Sequence, residues 1–207
     1  MSSRKLRNNY LISCNTMQQK PGKLLIFSAP SGSGKTTIVK HLIQTIDGLT
    51  FSVSATSRGM RTGEQDGKDY FFISSDEFKK RIANNEFLEW EEVYSGSYYG
   101  TLKNEVDKLL QQGKHVLFDV DVLGGINIKN QYKNQALAVF VKAPSIEVLR
   151  ERLQNRSTDS AEQIQNRVEK AGFEMTYADK FDYILTNNDL ATAQKEITTI
   201  VLNFINA

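Results

Sequence analysis

Hydrophobic and polar positions alternate along this chain in blocks that switch between two periods. The apolar runs Lys23–Ser28, His115–Val120 and Leu137–Lys142 are each six residues long. They are too short for helices and read as buried strands. Helical spacing follows in Thr36–Ile46, in Val122–Asn130, from Pro144 (a proline suited to a first turn) to about Gln154, and in the closing amphipathic segment Leu190–Ile205. Phe51–Ala55 is a further extended segment and Phe181–Leu185 a last short strand. Such alternation predicts an α/β fold, a three-layer arrangement with a parallel sheet between helices. Two stretches break the pattern. Thr56–Gly100 carries short strands at Tyr70–Ile73 and Phe87–Val93, a helix from near Ser75, and turn signals at Gly59, Gly63 and Gly67, so it reads as a small α+β insertion. Gln154–Thr176 is polar and bears arginines, the character of a lid. The expected partition is a poorly ordered tail over 1–21 and one domain over 22–207, with core 22–55, 101–153 and 177–207, insertion 56–100 and lid 154–176.

The chemistry begins directly behind the first strand, at Ala29-Pro30-Ser31-Gly32-Ser33-Gly34-Lys35-Thr36-Thr37. A strand, a small-residue loop, a lysine, a hydroxyl and a helix form the arrangement that holds a nucleoside triphosphate. Small residues let successive backbone N–H groups turn towards phosphate oxygens, and the helix points its positive end at them. Lys35 supplies a mobile cation for the outer phosphates, and Thr36 a hydroxyl for a phosphate-bound Mg2+. Ala29 stands where a glycine normally opens such a loop, which is tolerable if that residue keeps a negative φ. The strand at His115–Val120 ends in Asp119, so both Ala29 and this carboxylate belong at the carboxyl edge of the sheet, where ligands bind.

Composition changes this picture little. The 207 residues are 40% hydrophobic and 24% charged with net charge +2, ordinary for a globular protein and unlike a basic nucleic-acid surface. The single cysteine, Cys14, excludes an intramolecular disulfide and a multi-cysteine zinc site, and suits a reducing compartment. No apolar run approaches the roughly 20 residues of a membrane helix. The basic start, Met1 to Arg7, leads into no apolar segment of signal-peptide length. A cytoplasmic protein without membrane or nucleic-acid partners is the expectation, with oligomeric state open. Met17 lies ahead of the nucleotide motif and offers a second translation start.

Arg58 and Arg61, three apart in a turn-rich loop and followed by Tyr70, are suited to converge on one anion, since guanidinium forks pair bidentately with phosphate oxygens. The run Ser52, Thr56, Arg58, Arg61, Gly63, Glu64, Gly67, Tyr70, Phe72 resembles the signature of guanylate kinases, which move the γ-phosphoryl of ATP onto GMP. Further matches are Asn85–Trp90, Tyr98–Thr101 and Phe118–Asp121, and the likeness extends from about Gly22 to the C-terminus. It implies that Arg58, Arg61, Tyr70 and Tyr99 grip the GMP phosphate and that Ser54, Glu89, Thr101 and Asp121 read the base. It also implies ATP phosphates clamped by Lys35 and the lid arginines Arg152, Arg156 and Arg167, with Asn187 on the adenine side and deoxy-GMP as a second acceptor. The chemistry agrees: guanine offers N–H donors at N1 and N2 beside an O6 acceptor, matching a carboxylate and a hydroxyl. Adenine reverses that pattern and would leave buried polar groups unpaired.

No general base is expected, because the attacking phosphate oxygen is already anionic, and His41 and His115 read as helix and strand-edge residues. Ala55 and Ser57 stand where relatives often carry threonine, and Thr101 where serine is frequent. Two other readings compete: a kinase-like domain kept as a peptide-binding scaffold, and a kinase for AMP or dTMP. The intact loop and lid arginines argue against the first; Glu89 with Thr101 argues against the second.

Overall fold

The computed structural model describes residues 20–94, 96–155 and 160–207. Residues 1–19 of the expected tail, among them Cys14 and Met17, and Arg156 lie outside the described residues. The core sheet is built on β1 (Leu24–Ser28), every residue of which is buried. Its neighbours are β7 (His115–Asp119) and β8 (Ala136–Lys142), with β2 (Leu49–Phe51) and β9 (Tyr183–Thr186) at the edges. The order is β2-β7-β1-β8-β9, and every pairing is parallel. A strand buried on both faces can be apolar throughout, which is why these segments lack alternation.

Alternate residues of β1 feed two cores. Leu24 and Ile26 pack with Val116, Phe118 and Phe140 and with Ile128 of α4 (Val122–Tyr132). Leu25 and Phe27 face Ile38 and Leu42 of α1 (Lys35–Thr45), and Ile197 and Val201 of α7 (Leu190–Asn206). A smaller cluster joins Leu149 and Leu153 of α5 (Ile146–Gln154) to Ile164, Val168 and Ala171 of α6 (Ala161–Met175), so α6 is seated through an apolar face. α6 opens with a capping box between Ser160 and Gln163.

The second sheet, β4-β3-β6-β5, comprises β3 (Ala55–Thr56), β4 (Phe71–Phe72), β5 (Phe87–Tyr94) and β6 (Ser97–Leu102). Its underside packs on α2 (Ser75–Ala83) through Phe78, whose ring stacks 4.3 Å from that of Phe87.

Three expectations need correction. Phe51–Ala55 is not one strand: Phe51 ends β2 in the core sheet, and Ala55 begins β3 in the second. Pro144 does not open α5; Ser145 caps it, accepting the Val148 amide, and the helix starts at Ile146. The pattern reading also passed over α3 (Lys103–Gln111), whose Val106 and Leu110 are buried.

Candidate active site

The triphosphate-type loop joins β1 to α1. Gly32 and Gly34 have φ of 94° and 92°, the left-handed region that a side chain resists. Ala29 is not among the positive-φ residues; of the described non-glycine positions only Asn85 and Lys133 are. Its methyl group packs against the core below α1, so the change from glycine leaves the loop's backbone unstrained. Gly34 is the N-cap of α1 and no side chain caps that helix, leaving its first amides open to an anion.

A cavity of about 470 Å³ lies over this loop, lined by Ala29–Gly32, Gly34–Thr37, Asp119–Asp121, and Arg167, Lys170 and Glu174 from α6. Lys35 is ion-paired with Asp119 across it and also faces the Val120 carbonyl at 3.4 Å. The Arg167 guanidinium donates to Ser31 Oγ at 2.9 Å, bridging lid and loop. Beside it, a second cavity of about 350 Å³ is lined by Gly32, Gly34, Thr37, Arg152, Asn155, Asn187 and Leu190. Asn187 is 4% exposed and donates from Nδ2 to the Ser33 carbonyl at 2.8 Å, while Arg152 donates to the Asn187 carbonyl at 3.0 Å. Asp189, not Asn187, caps α7, and Asn187 Oδ1 is buried without a hydrogen-bond partner.

The insertion builds a different kind of surface. Thr101 Oγ1 on β6 donates to Glu89 Oε1 on β5 at 2.6 Å. Asp121 caps α4, accepting the Gly124 amide at 2.8 Å, and Gly124 has no side chain to separate Asp121 from Glu89. Burial pushes the Glu89 carboxyl above its ordinary range; Thr101 works against that, and the neighbouring Asp121 and Glu91 add to it. Ser54 lies just before β3, and its carbonyl accepts the Phe71 amide at 2.9 Å. On the loop side, Arg58 lies 5.0 Å over the Tyr70 ring, and Tyr70 meets Tyr99 edge-on at 5.9 Å. Arg58 pairs with Glu64, and Arg61 joins through its backbone, its amide donating to Glu64 at 2.8 Å.

The histidines are structural. His41 is bonded to Thr198 at 3.2 Å, and His115 Nδ1 accepts the Lys23 amide at 3.1 Å, its pKa lowered by burial and by Lys23.

Against families of known proteins, the guanylate kinase model matches residues 21–203. The chain belongs to the guanylate kinase family. It is 52% identical over 191 residues to the guanylate kinase of Bacteroides thetaiotaomicron, covering 92% of this chain and 94% of that one. Against the guanylate kinase of Porphyromonas gingivalis identity is 51% over 184 residues, 88% and 98% of the two chains. The crystal structure of guanylate kinase from Anaplasma phagocytophilum superposes with a TM-score of 0.67 at 26% identity, covering 92% of this chain and 89% of that one. The resemblance and the α/β fold inferred from sequence therefore both hold.

Sequence reasoning placed Asp119 at the ligand-binding edge without naming its task, and gave no role to Glu64, Lys170 or Glu174. Glu174 follows Arg167 by seven residues, the helical spacing that puts both on the cavity side of α6, and that spacing was a usable signal.

Proposed function

We propose that this guanylate kinase, an ATP:GMP phosphotransferase, divides its work between the two sites just described. ATP lies with its phosphates over the β1–α1 loop and its base towards Asn187. The orphaned Asn187 Oδ1 supports this, because a buried acceptor without a partner suits an exocyclic amine of a base. Lys35 leaves Asp119 for the outer phosphates, and Arg152, Arg156 and Arg167 neutralise charge on the transferring phosphoryl group.

GMP takes the insertion side. Arg58, Arg61, Tyr70 and Tyr99 hold its phosphate, while Glu89, Thr101, Asp121 and Ser54 meet the guanine edge. The observation that carries this reading is the Thr101–Glu89 pair beside Asp121, a hydroxyl and two carboxylates in one place. An ionised carboxylate accepts from guanine N1–H and N2–H, and the Thr101 hydroxyl turns to donate to O6.

The phosphate oxygen of GMP attacks the γ-phosphorus in line, the bond to the β-bridging oxygen breaks, and ADP and GDP result. No proton has to be removed, which leaves positioning and charge neutralisation to the protein. Thr36 and Asp119 present hard oxygen donors at the cavity wall, the chemistry that fits Mg2+. Among the described residues no three His, Cys, Asp or Glu side chains converge on a metal, so a cation here would share the phosphates' oxygens with Thr36. Such an ion would neutralise phosphate charge when bound.

Small-molecule substrates without a nucleic-acid partner fit the near-neutral charge, and deoxy-GMP would serve as a second acceptor. None of the described helices is long and apolar enough to cross a membrane; a cytoplasmic location completes the reading. The core, insertion and lid divisions at 56–100 and 154–176 would move as units on binding. The test is ADP formation from ATP with each nucleoside monophosphate in turn. Turnover with GMP and little with AMP, CMP or UMP is expected; preference for AMP would end the guanine assignment, and no turnover in folded protein that binds GMP would favour a scaffold.

A further inference from the structure

The loop between β3 and β4 is braced by its own carboxylates. Asp66 accepts the Phe72 amide and Asp69 the Gln65 amide, each at 2.8 Å. Glu64 does more. Its Oε2 accepts Arg58 Nη1 at 2.7 Å and the Arg61 amide at 2.8 Å, and its Oε1 accepts Arg58 Nη2 at 2.5 Å. Arg58 Nη1 also donates to the Gly59 carbonyl at 2.9 Å. A guanidinium has five N–H donors. These contacts occupy both hydrogens of Nη1 and one of Nη2, the end-on edge of the fork. The Nε–H and the second Nη2–H form the side-on edge that pairs bidentately with a phosphate, and Tyr99, a further hydrogen-bond partner of Arg58, lies on that side. The plane is fixed as well, since the guanidinium lies 5.0 Å over Tyr70 and 5.5 Å over Phe72.

We propose that Glu64 is the positioning residue of the acceptor-phosphate site: it holds Arg58 by one edge so that the other is presented to GMP. The proposal rests on the reading that Arg58 grips that phosphate. A rival account of the same contacts is that Glu64 imitates the phosphate and has to be displaced by it. The two differ in sign. Glu64 cancels one of the two arginine charges in the loop, so removing it strengthens the attraction for an anion. If Glu64 were a competitor, its loss would tighten GMP binding. If it orients Arg58, the gain in charge is outweighed by a long side chain that must be ordered each time substrate binds. The pair is well shielded, with side-chain exposures of 14% for Arg58 and 20% for Glu64. Arg58, then the Arg61 amide, hold the Glu64 carboxyl down to about 2, so it stays ionised at any working pH.

The test uses Glu64→Gln, Glu64→Asp, Arg58→Ala and the double variant Arg58→Ala/Glu64→Gln in the full chain, with circular dichroism to verify folding. Glutamine keeps an oxygen for the Arg61 amide and gives up the charged fork. We expect a rise in KM for GMP of about tenfold, with kcat and KM for ATP within about twofold. Aspartate keeps the charge but falls one methylene short, and it should also raise KM for GMP. In the Arg58→Ala background, Glu64→Gln should add nothing. A lower KM in Glu64→Gln, a wild-type KM in Glu64→Asp, or a full additional loss in the double variant would each overturn the proposal. An unchanged KM in Arg58→Ala would instead overturn the assignment of Arg58 itself, and the proposal with it.

Discussion

In the proposed division of work, the β1–α1 loop and the 56–100 segment would each hold a phosphate, by opposite means. The donor loop is made of backbone: one continuous stretch between β1 and α1, its shape set by Gly32 and Gly34, its helix left uncapped. The acceptor surface is made of side chains from the β3–β4 loop, β5, β6 and the start of α4. These polar groups satisfy one another, Arg58 with Glu64 and Thr101 with Glu89. Backbone amides carry no information about the base attached to a phosphate, and paired side chains do. On the proposed reading, discrimination would therefore belong to the 56–100 segment, and the shared transition-state charge to the β1–α1 loop and the arginines of α5 and α6.

The sharpest way to break this division is Lys35→Ala. Lys35 is the cation of the donor loop, so kcat should fall on the order of 10³-fold or more in a coupled ADP assay. GMP affinity measured by calorimetry without ATP should be nearly unchanged; a parallel loss of GMP binding would show the sites are not separate. A smaller effect is expected from Asn187→Ala. It removes both the Ser33 brace and the orphaned acceptor, and KM for ATP should rise about tenfold with KM for GMP hardly altered.

The smallest effect is the dependence on pH. Burial, reinforced by Asp121 and Glu91, raises the Glu89 pKa in the free protein. Guanine requires the ionised form, so GMP affinity should weaken as pH falls through that raised value, earlier than for an ordinary carboxylate. Folding responds with the opposite sign. A carboxyl whose folded pKa is raised contributes stability below its unfolded pKa and loses it as pH rises through the folded one. Calorimetric titration of GMP, and the difference in thermal melts between the wild-type protein and Glu89→Gln, should therefore trend in opposite directions across this range, and a common trend would contradict the assignment.

Much of this was legible in the sequence, for a local reason. A backbone-built site needs contiguous small residues, so Ala29–Thr36 announces itself, and buried parallel strands are short apolar runs. Side-chain pairing was less legible. Glu64 stood in the recognised signature without a role, because a motif records which residues occur and not which face each other. Phe51–Ala55 misled because extended character does not say which sheet a strand joins. α3 carried its signal in Val106, Leu109 and Leu110 ahead of Gly113, and β6 just before it was passed over as well, because Tyr98–Thr101 was read only as part of a motif. Pro144 drew the start of α5 two residues early, although Ser145 is the better cap.

The measurement that bears most directly on the division is the steady-state kinetics of Glu89→Gln with each substrate varied in turn. An amide cannot accept both guanine donors, so kcat/KM for GMP should fall about 10²- to 10³-fold while KM for ATP holds within about twofold. Equal losses towards both nucleotides, or none towards GMP, would contradict the account.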